Sequence, residues 1–464
     1  MKKLLKLSCL IVIGISTMYS YKTWFNDSDN ASFKMENIEL KQSQLDISPI
    51  NIDANEAIWS VKSNSKLVCF SMVFKNEGDR SFGDNPAILD VVIKTIFDGA
   101  GKLDAIALKK AMADNSINIS ISSNQDSTIV DCSCLQKHFD LAIDLIHDML
   151  TKAHLKSEKI EIAKQAINVS LQQGMFSPSF VAGEKLNNLM YQKGHPYRYS
   201  IKETSTRLKE YTKKDIDDCY KKLFSPSDVV VTIVSPLNQD QIKEKFNKLI
   251  VSLKKLKSNN FKNGIQKTDL YKKDISEHFE LDNPQSSVLF ALPGVSKNSG
   301  DRFAASLAND VFGEVGLLSR LSKSVRDIDG LVYRISTSSN FDSDLQSYII
   351  GTADTRPENV KNVILKVKEE CRNLYEKGIT EKELSLFKVR KFAKNIFDSN
   401  NSILNFVQFL RLNNSKLEDI NSFLDNYKKL KLTEVNKVIK KVFNPDNLIF
   451  VDCGKSVKTK EIVK

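Results

Sequence analysis

Histidine is scarce in this chain: five occur in 464 residues, and none precedes His138. His138, His147, His154, His195 and His278 include no pair at i,i+4, the spacing that lets two imidazoles on one helix face grip a single metal ion. Cysteine occurs seven times but never with the paired spacing of a zinc ribbon. Cys9 falls in an N-terminal apolar stretch, and Cys69, Cys132, Cys134, Cys219, Cys371 and Cys453 lie mostly in apolar strand or helix patterns, where buried thiols are expected. No later segment has the ~20 apolar residues a membrane-spanning helix needs. Basic residues outnumber acidic ones, 68 to 57, but the lysines are spread beside acidic residues with no basic-aromatic cluster. That pattern makes a solvated surface and argues against nucleic-acid binding.

What the sequence does contain starts with a basic opening, Met1-Lys2-Lys3, an apolar stretch over residues 7–18 and a polar run from Tyr19 to Lys22. Residues 1–24 therefore read as a Sec-type export signal, either removed or kept as a short anchor in the inner membrane, which directs the protein to the periplasm. The remainder, in a chain 41% hydrophobic and 27% charged, is globular and long enough for more than one core.

The same order of elements occurs twice. Tyr220, Phe224 and Pro226 lead into an apolar strand at 229–234, and Ile439, Phe443 and Pro445 lead into another at 448–451, each a helix stopped by proline before a buried strand. Upstream of each lies a pair of long amphipathic helices, at 139–152 and 157–173 and again at 360–377 and 380–397. A repeat this long implies duplicated domains. Strands and helices come in separate runs, so each half is expected to be α+β, a mainly antiparallel sheet with helices packed on one face. The domains are placed at residues 45–252 and 268–458, with a hinge in the lysine- and asparagine-rich stretch at 253–267. Residues 117–121 and 128–132 alternate around a polar turn and predict a hairpin. A helix capped by Asp84 or Asn85, with Pro86 in its first turn, is expected to end at Gly99.

Several of these pieces, in this order, resemble the pitrilysin/insulinase family of zinc peptidases, especially its processing-peptidase-like members. They are the 86–99 helix, the hairpin, the helix pair and Gly194-His195-Pro196-Tyr197 before a helix begun by Thr212. The second half adds the Gly-Leu-Leu-Ser-Arg-Leu run at 316–321, Arg326, Gly330 to Tyr333, and the Gly-Ile-Thr-Glu-Lys-Glu-Leu run at 378–384. The resemblance covers roughly residues 45–455. It implies two homologous domains arranged as a half-clamshell.

Active relatives carry His-x-x-Glu-His on the early helix and a later glutamate as third zinc ligand. The matching positions here are Asp90, Ile93 and Lys94, and the stretch 164–176 offers Gln165, Ser170, Gln172 and Gln173 in place of the glutamate. An alkyl side chain is no base, and a lysine puts a cation where a cation should bind. The resemblance thus implies a member with no metal and no catalytic residue of its own. Arg326 and Tyr333 match the family's arginine and tyrosine that contact the peptide near the scissile bond, and the strand at 117–122 takes the place of its substrate-binding edge strand.

The expectation is a non-catalytic subunit of a heterodimer, needing no cofactor itself, that helps bind peptide or unfolded polypeptide for a zinc-bearing partner of the same family. Two alternatives stand beside it: a structural or peptide-binding protein outside proteolysis, and a metallopeptidase with an atypical site.

Overall fold

The computed structural model describes residues 43–457 except 53–56, 76–77, 83–85, 192–194, 196, 199, 225–228, 257–274, 297, 341–346, 395–396 and 398. The expected export signal at residues 1–24, the expected caps Asp84 and Asn85 and most of the expected hinge stretch lie outside the described residues. Among those described, no helix is long and apolar enough to cross a membrane.

The first half builds a six-stranded sheet. Its strands are β1 (Ile47–Asn51), β2 (Ala57–Lys62), β3 (Leu67–Lys75), β4 (Asn118–Ser123), β5 (Ser127–Leu135) and β6 (Val229–Ser235). In space they run β1-β2-β6-β3-β5-β4, so β4 is an edge. The second half builds a five-stranded sheet from β7 (Ile275–Glu280), β8 (Ser286–Pro293), β9 (Val332–Asn340), β10 (Tyr348–Thr355) and β11 (Ile449–Gly454), ordered β7-β11-β8-β10-β9. Each sheet is antiparallel except for one parallel pair, β2 with β6 (Ile58 opposite Val231) and β7 with β11 (Ile275 opposite Ile449). The shared exception, with β4 and β9 as corresponding edges, shows the repeat as structure.

The expected elements form. The hairpin pairs Ile121 with Val130, and Asn124 closes its turn by accepting the amides of Asp126 and Ser127, both at 2.8 Å. The helix pairs are α3 (Phe139–Thr151) with α4 (Ser157–Gly174) and α10 (Val360–Lys377) with α11 (Glu381–Lys394). Thr212 caps α7 (Lys213–Leu223) through a capping box with Asp215. The early helix α1 is shorter than expected, Ile88–Ile96. Ala87 takes a left-handed turn at φ 60° before it, and Gly99 is taken up in a short ribbon, where a Cβ would lie 2.6 Å from His154 Nδ1.

Helices α1, α3, α4 and α8 (Gln239–Leu253) cover one face of the first sheet and share its core with Phe70, Met72, Val130 and Ile233. Cys69, Val73, Val230 and Val234 point the other way and are also buried. Their cover comes from the second half: α12 (Asn400–Leu412) lies on β3 and β6, with Asn400 Nδ2 donating to Leu67 O at 2.7 Å and Arg411 donating to Val231 O. The loan is returned. Helix α5 (Pro178–Met190), from the first half, packs on β8 and β11, placing Ala182, Leu186 and Met190 against Leu289, Ile449 and Val451. Strands β6 and β11 are buried along their whole length because both faces are covered.

Candidate functional site

The six described cysteines are all buried free thiols, as their apolar settings predict. Three of the histidines have structural surroundings. His147 sits 3.2 Å from Asp148, His154 Nε2 donates to Gly101 O at 2.9 Å, and His278 is held by Asp452 at 2.5 Å. Among the described residues, no three His, Cys, Asp or Glu side chains converge as a metal site.

On α1, Asp90 and Lys94 are exposed while Ile93 is half-buried against the core. The set does not fit zinc: it offers one carboxylate, an alkyl group and an ammonium. Helix α4 packs beside α1. There Gln165, Ser170, Gln172 and Gln173 are exposed, and the polar residue that turns inward is Lys164, whose Nζ donates to Glu161 (2.8 Å) and to Tyr211 O (2.9 Å). Sequence periodicity could not single out Lys164, because its acceptor lies on a distant turn.

Asp79 is a second feature the sequence did not reveal. One side of it is open to solvent, but the chain around it displaces enough water to push its pKa up to about 7, with the Asp90 carboxylate as the next cause. Desolvation also raises the Asp90 pKa, against the pull of Lys94. Two carboxyls thus share a place beside the degenerate motif, one of them poised near neutrality.

The second-half candidates do meet. Arg326 lies on Ser322–Ile328, a segment of wide i→i+5 turns of the kind often found at functional sites. Its guanidinium carbon stands 5.8 Å from the Tyr333 ring centroid. The strand register slips between Val332 and Arg334, which makes Tyr333 the extra residue of a bulge. That is why Tyr333 is 87% exposed while Val332 and Ile335 on either side return to the core. Gly330 turns between them at φ 62° with open space around it, so backbone conformation rather than crowding calls for glycine. Arg326 has Asp327 at 3.9 Å, too loose an ion pair to occupy its fork.

Arg320 holds this segment in place. Its Nε and Nη2 meet Glu383 at 2.7 and 2.8 Å, and Nη2 also donates to Gly378 O at 2.9 Å. The runs at 316–321 and 378–384, read separately in the sequence, are therefore two sides of one contact. Glu383 also accepts the Thr380 amide at 2.8 Å. Burial works against its charge, but Arg320 and Thr380 outweigh it and hold its pKa down.

Edge strand β4 turns Ile119 and Ile121 inward and exposes Asn118, Ser120 and Ser122. Its outward face is neutral and polar, and its outer edge pairs with no strand among the described residues.

Residues 210–401 match the family model described as the peptidase M16 inactive domain. The chain is 21% identical over 402 residues to the non-peptidase homolog YmxG of Helicobacter pylori, across 84% of this chain and 89% of that protein. A crystal structure of a peptidase M16 inactive domain from Pseudomonas fluorescens aligns at a TM-score of 0.79 and 18% identity, over 90% of this chain and 100% of that one. The periplasmic protease PqqL of Escherichia coli aligns at a TM-score of 0.70 and 17% identity, over 90% of this chain and 48% of that one. At these identities the structural likeness is one of fold.

Proposed function

From the premise that this chain belongs among the peptidase M16 proteins and carries their inactive domain, we propose that it is a non-catalytic subunit that binds and positions peptide for a zinc-bearing partner of the same family. The carrying observation is the contrast between its halves. Asp90, Ile93 and Lys94 do not fit a metal, whereas the half-buried Arg326 and the exposed Tyr333 stand together without a tight counter-ion. A guanidinium and a phenol are suited to donating hydrogen bonds to a peptide carbonyl and stabilising charge on its oxygen. Zinc and its activated water would come from the partner, and unfolded polypeptide is the substrate class. Export to the periplasm through residues 1–24 belongs to the same proposal.

Co-expression with a His-x-x-Glu-His protein from the same genome tests this. A stable heterodimer is expected to cleave an unstructured polypeptide, with Arg326→Ala and Tyr333→Phe each lowering kcat by about 100- to 1000-fold, the range seen when an oxyanion donor is removed. Recovery of only monomer or homodimer would sink the proposal.

The free, neutral edge of β4 favours a second reading, a peptide-binding protein without a proteolytic role, since strand addition needs only backbone hydrogen bonds. Unchanged activity in the Arg326 and Tyr333 variants would favour it. Stoichiometric zinc in the purified chain would instead point to an atypical peptidase.

A further inference from the structure

The function proposed above leaves the His195 turn unused. His195 is 6% exposed and lies between two tyrosines. Tyr191 stacks on it with ring centroids 4.6 Å apart, and Tyr197 meets it edge-on at 5.2 Å. Its Nδ1 accepts the Tyr197 backbone N–H at 3.0 Å, so the proton of the neutral ring sits on Nε2, which is buried without a hydrogen-bond partner among the described residues. From this ring the contacts run two ways. Tyr197 OH donates to Asp126 in the β4–β5 turn. Tyr191 belongs to the core where α5 meets the second sheet, with Leu289 and Val451.

We propose that His195 is an acid-sensitive latch: neutral, it holds the turn of the edge hairpin to the contact between the halves, and protonated, it releases both. A second ring proton would convert Nδ1 from acceptor to donor and set it against the Tyr197 N–H. It would also place a cation in a buried slot whose Nε2–H has no acceptor among the described residues. The charged and titratable groups facing the slot give little relief. Asp126 is bound to Tyr197 OH, Arg198 adds positive charge while donating to Tyr191 O at 3.1 Å, and burial holds the Tyr191 phenol well above its ordinary pKa. Burial already holds the His195 pKa below its ordinary value. The unfolded ring binds a proton near pH ~6.5, so the stability carried by the neutral ring is present above that pH and is lost as pH falls below it.

Hydrogen exchange of the full chain, followed by mass spectrometry at pH 7.5 and 5.5 and corrected for intrinsic rates, tests the latch. Peptides covering 118–130 and 186–200 are expected to lose protection together, by up to about tenfold per pH unit, while α10 does not change. His195→Phe keeps a stacked ring without titration and should abolish that acid response. Tyr197→Phe should leave the response at 186–200 but uncouple the hairpin. Acid loss in His195→Phe equal to wild type, or no acid loss in wild type, overturns the proposal. If His195→Phe does not fold, an NMR titration placing wild-type His195 at or above the ordinary histidine pKa overturns it equally. The test needs neither partner nor substrate, so its failure leaves the proposed function untouched.

Discussion

Asp79 shows how burial, reinforced by the neighbouring Asp90 carboxylate, sets a carboxyl's working range. Because the Asp79 pKa is raised to about 7, its protonated form stabilises the fold at low pH, and that contribution disappears as pH rises through 7. Asp90→Asn removes the second cause and is expected to lower the Asp79 pKa, measured by carboxyl NMR. Asp79→Asn should flatten the fall in urea stability between about pH 4 and 8. An unmoved Asp79 titration in Asp90→Asn would refute the coupling. The mismatch of Asp90, Ile93 and Lys94 with a metal was legible once the resemblance singled out those positions on the helix. The Asp79 neighbourhood was not, because it depends on how a loop folds onto α1. Lys164 and the Arg320–Glu383 contact escaped for the same reason: their partners are remote in the chain and follow no periodic rule.

Among elements, β10 contains a glycine that its cross-strand neighbour explains. Gly351 pairs with Phe290, and a Cβ at Gly351 would lie 1.9 Å from that ring. Gly351→Ala must displace a fully buried phenylalanine that also packs on Phe312 and Phe450. It is expected to cost upwards of ~1–3 kcal/mol in chemical denaturation, whereas the same change at the uncrowded Gly300 should cost little. Strands and helix pairs were readable because alternation and 3.6-residue periodicity report which face is buried. The ends of α1 were less so. The left-handed Ala87 starts the helix late, and the approach of His154 to Gly99 turns a helix-stop signal into part of a ribbon. The bulge that lifts Tyr333 out of β9 left no composition signal, although the resemblance, through Arg326 and Gly330, marked the residue itself.

For the whole molecule, the exchange of α5 and α12 makes the halves interdependent. Expressed separately, residues 43–256 and 275–457 each lack the helix that covers one face of a sheet. Both are expected to be insoluble or molten by circular dichroism, and co-expression should restore a soluble pair. A cooperatively folded isolated half would contradict this. The duplication was legible from the repeated helix, proline and strand, because those residues are local. The exchange was not: an amphipathic stripe shows that a helix needs a partner but does not say which sheet supplies it.

This crossing of helices also sets a schedule for synthesis. The first sheet is complete once Ser235 is made, but the helix that covers its second face ends at Leu412. At about 5–20 residues per second, the apolar side chains of β3 and β6 wait roughly ten seconds or longer for their cover. During that interval the apolar residues meant for α12 have no cover, the kind of surface that holding chaperones bind and that aggregates without them. If residues 1–24 export the chain, as proposed above, the translocation route takes unfolded cargo. A fold whose first half cannot close before its second half exists suits that route.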